Sequence, residues 1–520
     1  MTPPFPTASP NGSRRWLCVA YAFPPINRSG THRTLGFVRE LAPWGWNATV
    51  LTVDPADEPI DEDLLHDVPP STHMVRTRWI DLLNSIGKTP RRKSNEAVLP
   101  DAAADHVDSN RACSSTSSPR NSSIERAPHR IGTSPERGSG SPLSYRRFFS
   151  QLLALPDSRI GWLLPALCAG WRAVRRDNVE VIYSTSPYMT AHLIALLLSR
   201  LLNLPWVADF RDPWRGHPFQ RVWHPWLEPI DAKLERWVMA GAAQIICCTP
   251  TMTDQLRRRF PRHTAKMSTI LNAFDGNRFT RLAPRRTTSD DVFTILHAGQ
   301  FYGSRSPLSL FHAMSLAAER VPRIRQSMKL QLLGPDTYDG APLREWAARR
   351  GVENMVVVEG RKPHAETMNR LAGGDALLLA AASGDGAALQ IPNKLFEYLA
   401  LKRPILALCS PDNPLIHILR EAAAPFVTCQ LDDPTAIAEA LLELPRLSRE
   451  IPGDAWSGVE QFERSHRARQ LAAVLDRVTV SKPSLIRLLK SASCPASRVA
   501  KGEETGESRR PFHSSTVVRR

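Results

Sequence analysis

Long uninterrupted apolar runs are missing from this 520-residue chain, and with them the signature of a membrane-spanning helix. The most apolar stretch, residues 189–207, is interrupted by His192, Arg200 and Asn203 and broken again at Pro205, so it reads as a core helix followed by a strand. The first 13 residues are rich in Pro, Ser and Thr and contain no apolar segment of the kind a leader peptide needs, so no secretory signal is expected. Metal-ligand spacing is missing too. The eight cysteines form no zinc-type pairs, and Cys247 and Cys248 are adjacent within an apolar run, which leaves buried, reduced thiols in a cytoplasmic protein as the simplest expectation. Asp61-Glu62-Asp63 has only the outline of a metal-binding D-x-D, and its acidic, proline-flanked setting predicts an exposed loop. No metal is expected.

Aromatic residues are only 7% of the chain, and this bears on its net charge of +16. Residues 88–147 hold 11 Lys/Arg against 6 Asp/Glu and residues 482–520 hold 9 against 3, so two stretches supply most of the excess. Neither carries aromatics at stacking intervals, which argues against a nucleic-acid partner. Disordered segments are the leading expectation for both, with peripheral contact at an anionic membrane surface as the alternative the charge allows.

What is present is an alternation of short β-like runs with helix-like segments, twice over, which predicts mainly parallel sheets covered by helices. The first set is Trp16–Ala20, Ala48–Val53, Val179–Ser184, Trp206–Asp209, Ala243–Thr249 and Met267–Leu271; the second is Val292–His297, Met328–Leu333, Met355–Glu359, Ala376–Ala380, Ile405–Leu408 and Phe426–Cys429. The expected fold class is therefore α/β with two doubly wound domains, residues 14–281 and 290–450, meeting at a seam near residues 272–290. Residues 86–143, rich in Ser, Arg, Pro and Asn, form an insertion in the first domain that cannot offset the entropy of ordering.

The most telling segment is Gln390-Ile-Pro-Asn-Lys-Leu-Phe-Glu-Tyr-Leu-Ala-Leu401. Pro392 suits a first helical turn, Leu395, Phe396, Leu399 and Ala400 supply a buried stripe, and Lys394 and Glu397, three apart, are expected to project together from the exposed side. A lysine aimed at a diphosphate and a carboxylate accepting from ribose hydroxyls would divide the recognition of a nucleotide sugar between them. The plain alternative is a solvated ion pair. This segment resembles the carboxy-terminal signature of glycosyltransferase family 4 and its relatives of the GT-B fold. Further landmarks similar to that family follow in its order: Tyr21-Ala-Phe-Pro-Pro25 with Gly30-Thr-His-Arg33, Trp206-Val-Ala-Asp-Phe-Arg-Asp-Pro-Trp214, Leu271-Asn-Ala-Phe-Asp275, and His297-Ala-Gly-Gln-Phe-Tyr-Gly-Ser-Arg305.

The resemblance implies a GT-B architecture, two Rossmann-like domains with a cleft between them, in which a helix at 455–478 crosses back to the first domain. It implies a glycosyltransferase of hexosyl type that takes a nucleoside-diphosphate sugar as co-substrate, with no resident cofactor, and transfers the sugar with retention to a carbohydrate or lipid-linked acceptor in polysaccharide or glycoconjugate synthesis. Gly299, Gly303 and Arg305, on a loop between strand and helix, would face the diphosphate, with Lys394 and Glu397 on the donor side. Gly30 would let backbone approach a ligand, Thr31 would cap the next helix, and Arg33 would meet an anionic or phosphorylated group. Asp212, at the end of a central strand, is the choice for orienting the acceptor or acting as base; ion pairing of Arg211 with Asp212 or Asp209 is the competing reading. Many relatives carry two glutamates separated by seven residues. Here Glu397 matches the second while Leu389 stands at the first, and Asp385 in a glycine-flanked loop is a candidate substitute. An epimerase of the same fold, or a binding protein without transfer, are the alternatives.

Overall fold

The computed structural model describes residues 14–56, 58–82, 148–216, 223–280, 282, 291–303, 305–381 and 386–481. The expected insertion at 86–143 falls wholly outside these residues, as do the tail 482–520, Asp385 and part of the seam at 272–290.

Seven strands form the first sheet: β1 Arg14–Val19, β2 Trp46–Val53, β3 His73–Thr77, β4 Val181–Thr185, β5 Trp206–Phe210, β6 Gln244–Cys247 and β7 Met267–Thr269. They pair in parallel in the order β3-β2-β1-β4-β5-β6-β7, so the winding reverses between β1 and β4. A crevice for ligands forms at such a reversal, beyond the carboxyl ends of the strands. The second sheet comprises β8 Phe293–Ala298, β9 Met328–Leu333, then, after a small hairpin of β10 Thr337–Tyr338 and β11 Ala341–Pro342, β12 Val356–Gly360, β13 Ala376–Ala380, β14 Ile405–Leu408 and β15 Phe426–Cys429. Its order is β12-β9-β8-β13-β14-β15, again parallel throughout.

Strands β5 (Trp-Val-Ala-Asp-Phe) and β13 (Ala-Leu-Leu-Leu-Ala) are buried at every residue, because helices cover both faces of a parallel sheet and leave no solvent side for a polar alternation. The small hairpin β10–β11 and the edge strand β3 are missed in the sequence; β3 is the one that belongs to a main sheet. Its residues, His-Met-Val-Arg-Thr, are mostly exposed or half-exposed, so they carry little apolar signal.

One face of the first sheet is covered by the helices Leu163–Asp177, Thr190–Leu202, Glu228–Gly241 and Pro250–Arg259, whose Ala166, Ile194, Leu198, Val238 and Met252 pack in a common core. The other face takes Ser29–Glu40 and the last helix, Arg464–Ser481, whose Leu471 and Leu475 pack with Trp16, Cys18 and Val50. The chain thus returns to its first domain at the end. Trp46 Nε1 donates to Asp476 at 3.1 Å and Arg14 pairs with the same carboxylate at 2.6 Å. The helix begins later than the expected residue 455, because Val459–Phe462 forms a separate 3₁₀ turn. The two connections between domains lie side by side: Phe274 N donates to Phe462 O at 3.2 Å and Arg464 N to Phe274 O at 2.9 Å.

Candidate active site

The carboxyl ends of the two sheets turn toward each other. His32, after β1, stacks on His364, after β12, with ring centroids 6.0 Å apart, and Asp212, after β5, accepts a hydrogen bond from Gln390 Nε2, after β13, at 3.0 Å.

The loop after β8 needs its first glycine. Gly299 has φ +129°, and a Cβ there would collide with Lys394 Nζ, so the absence of a side chain lets the lysine lie over the backbone. Lys394 is half-buried rather than exposed, and no carboxylate lies within ion-pair distance of it among the described residues. Burial, and next to it the Arg305 guanidinium, pull its ammonium down to about 7, against a smaller opposing pull from Glu397. Arg305 is anchored by Tyr302, accepting at 2.6 Å on the phenol oxygen, and its buried Nε has no partner among the described residues. Two cations thus converge on one loop, and an anion between them would relieve both. The helix after Arg305 starts at Leu308, whose amide donates to Ser306 Oγ. Gly303, with φ +53°, makes the tight turn between Tyr302 and Arg305.

His297 lies beneath this loop. Its Nδ1 is 2.9 Å from the Leu378 carbonyl, which can only accept, so Nδ1 carries the proton and Nε2 the lone pair. Burial, with Lys394 and Arg305 nearby, holds its pKa far below the usual imidazole range, and its buried Nε2 has no partner among the described residues. In the sequence this histidine heads a landmark motif but has no assigned role; its position beneath the two cations marks it as part of the site.

The helix that carries Lys394 spans Asn393–Leu401, with Pro392 at the cap rather than in the first turn. Glu397 accepts from His364 Nε2 at 3.0 Å. Burial alone would raise its pKa, but the hydrogen bond and charge of His364, with His32 and Arg464, hold it below the usual carboxylate range. The same surroundings, burial first and then His364 and Arg464, push His32 down to about 4. A pocket opens here between the domains, lined by His32, Asn272, Phe274, Asn393, Glu397 and Arg464 among others.

The amino-terminal loop corrects the expectations placed on it. Arg33 is buried, and its five N–H donors are all engaged: Nε and Nη2 hold the Asp209 carboxylate at 2.9 Å each, Nη2 also reaches Ile270 O at 2.9 Å, and Nη1 reaches Leu271 O at 2.9 Å and Asn272 Oδ1 at 3.1 Å. No donor remains for a phosphate. Gly30 admits a protein group, since a Cβ there would stand 2.5 Å from Arg211 Nη1. Thr31 is not the cap; it sits one turn in, with its hydroxyl donating to Ile26 O at 2.7 Å. Asp209 pairs with Arg33 rather than Arg211. Asp212 remains half-buried at the cleft, its amide donating to Ser186 Oγ at 3.2 Å. Asp61 caps the turn Glu62–Asp67 by accepting from Asp63 N at 3.2 Å.

Leu389 is buried in the apolar core of the first domain, and its carbonyl accepts from Thr249 Oγ1 at 3.0 Å. The segment just ahead of the Lys394 helix therefore docks across the cleft.

Residues 125–273 match the family model described as a glycosyl transferase 4-like domain. This chain contains a glycosyl transferase 4-like domain. Its fold is GT-B. A glycosyltransferase from Rickettsia africae ESF-5 superposes with a TM-score of 0.56 at 11% identity, covering 89% of this chain and 98% of that one. The N-terminal domain of trehalose-6-phosphate phosphatase from Candida albicans superposes with a TM-score of 0.56 at 11% identity, covering 91% and 98%. No curated protein matches the chain by sequence. The glycosyl transferase 4-like domain covers β4 to β7, and so includes Asp209, Asp212 and Asn272, while the convergent cations lie in the second sheet's domain. Among the described residues, no helix is long and apolar enough to cross a membrane.

Proposed function

We propose that the chain is a retaining glycosyltransferase of hexosyl type that moves a sugar from a nucleoside-diphosphate sugar to an acceptor hydroxyl on a carbohydrate or lipid-linked molecule. The observation that carries this reading is Lys394 lying over Gly299, with the Arg305 guanidinium of the same loop close enough to help depress its pKa. As the bond from the anomeric carbon to the phosphate oxygen breaks, negative charge grows on the departing diphosphate, and two preorganised cations in a partly desolvated site stabilise it. They do this without a metal. Glu397, kept ionised by His364, accepts from the ribose hydroxyls across the pocket floor. Asp212, on the facing domain, orients the acceptor hydroxyl. The likeness of the motifs to glycosyltransferase family 4 supports cytoplasmic action in building a polysaccharide or other glycoconjugate.

The test is release of nucleoside diphosphate from a panel of nucleotide sugars with and without candidate acceptors, after thermal shift has picked out the donors that stabilise the fold. Acceptor-dependent release that fails in Lys394→Met supports transfer. Epimerised nucleotide sugar free in solution would make the protein an epimerase, and stabilisation without turnover a binding protein.

A further inference from the structure

The helices covering one face of the first sheet carry an outward pattern that neither core nor cleft uses. Thr190–Leu202 is buried along most of its length between Leu163–Asp177 and Glu228–Gly241. On the first neighbour, Leu164, Cys168, Trp171 and Arg175 recur at helical spacing on the exposed side. On the second, Trp226 in the preceding turn, Ile230, Lys233 and Trp237 do the same. Leu164 is 69% exposed, Trp226 74% and Trp237 44%, and Leu201 at the end of the middle helix is 70% exposed. An ordinary surface helix turns its polar side outward, and large exposed apolar faces mark sites of association.

Cations are interleaved with these rings. The Arg175 guanidinium lies 4.4 Å over Trp171 and the Lys233 ammonium 5.1 Å over Trp237. Acids on the same helices turn inward: Asp177 is tied to Arg176, Asp231 to Arg215 and Glu235 to Arg259, leaving Glu228 as the exposed one. Phe149 and Leu152 extend the patch beside Trp226, with the Phe148 ring 6.0 Å from that indole.

We infer that this helix face docks on an anionic lipid bilayer. Tryptophans with a cation stacked on each match the boundary between headgroup and acyl chain, where the ring is apolar on one side and polar on the other. Long basic side chains keep their charge among anionic headgroups while their stems lie along the rings. This inference stands apart from the glycosyltransferase reading, since it uses none of the cleft residues.

The experiment is sedimentation of the full chain with vesicles of phosphatidylcholine alone and of phosphatidylcholine with phosphatidylglycerol. Size-exclusion chromatography at several concentrations accompanies it. Wild type should bind the anionic vesicles, weaken with added salt, and show little binding to phosphatidylcholine alone. The triple substitution Leu164→Ser, Trp226→Ser, Trp237→Ser should lower the partition coefficient about tenfold or more with an unchanged melting temperature. If that variant fails to fold, quenching of wild-type tryptophan emission by brominated lipid reads the same contact. Equal binding to both vesicle types, absence of quenching, or full binding by the folded triple variant would overturn the inference. So would a concentration-dependent dimer that the substitutions dissolve in a protein that ignores vesicles, since the occupant would then be a second copy.

Discussion

Arg33 and Asp209 close on each other through two parallel hydrogen bonds of 2.9 Å, although 176 positions separate them in the chain. Tyr183 donates to the same carboxylate at 2.5 Å and Thr185 at 3.2 Å, so the pair is the hub of a buried network joining the first helix to β4, β5 and the strand ends at Ile270–Asn272. Arg33→Met leaves Asp209 buried without its countercharge and should cost about 3–5 kcal/mol of stability. Arg33→Lys should recover only part, because an ammonium cannot make the fork. Chemical denaturation of both variants reads the difference, and near-wild-type stability in Arg33→Met would return Arg33 to the list of ligand contacts.

The same network sets a response to acid. Burial alone would raise the Asp209 pKa, but Arg33, the Tyr183 hydroxyl and Arg211 bring it below its ordinary value. Its ionisation therefore contributes stability that is fully present above about 4, the unfolded carboxylate value, and is lost as pH falls through the lower folded value. Melting temperatures measured from pH 6 downward should fall more steeply for wild type than for Asp209→Asn.

Lys394, at about 7, titrates where diphosphate binding is easily measured. Only its protonated form attracts the diphosphate. Affinity for a nucleoside diphosphate should fall as pH rises above 7, approaching a tenfold loss per unit, with proton uptake on binding. Calorimetry between pH 7 and 9 in buffers of different ionisation heat tests this. Lys394→Met should flatten the profile, and a wild-type profile already flat would remove the lysine from the phosphate site.

Lys394 and Glu397 should fail differently when changed. Lys394→Met should lower kcat more than it raises donor KM, because charge on the leaving group grows toward the transition state. Glu397→Gln should mainly raise donor KM through weakened ribose contacts, each effect being about 1.5–3 kcal/mol for hydrogen bonds with a charged partner. Wild-type kinetics in both variants would move the donor site off this helix.

Restoring the glutamate that many relatives carry at position 389 should be harmful. Leu389 packs in the apolar core of the first domain, so Leu389→Glu forces a carboxylate into that core or undocks the segment from Thr249. A drop in melting temperature larger than that of Leu389→Met is expected, without a gain in donor affinity. Tighter donor binding by Leu389→Glu would show that the side chain can turn into the cleft.

The alternation of strands and helices, the two-domain α/β class and the helix bearing Lys394 and Glu397 were all determined by local pattern. Fully buried parallel strands are continuous apolar runs, and the short spacing from Lys394 to Glu397 is fixed by the helix itself. Edge strand β3 stayed hidden because its half-exposed residues write no such pattern. What a side chain does once the chain has folded was decided elsewhere. Arg33 looked like a phosphate ligand because a loop arginine after a glycine has free donors until Asp209 and the carbonyls of Ile270 and Leu271 arrive from distant strands. His297 keeps its Nε2 lone pair because Nδ1 donates to the Leu378 carbonyl, Lys394 takes its lowered pKa from burial first and Arg305 second, and Leu389 takes its burial from the opposite domain. The outward tryptophans of the helix face are likewise invisible as a patch in the sequence, where apolar residues at helical spacing signal a core. Burial, charge proximity and the satisfaction of hydrogen bonds belong to the packed molecule, because each depends on which distant segments share a dielectric and a distance.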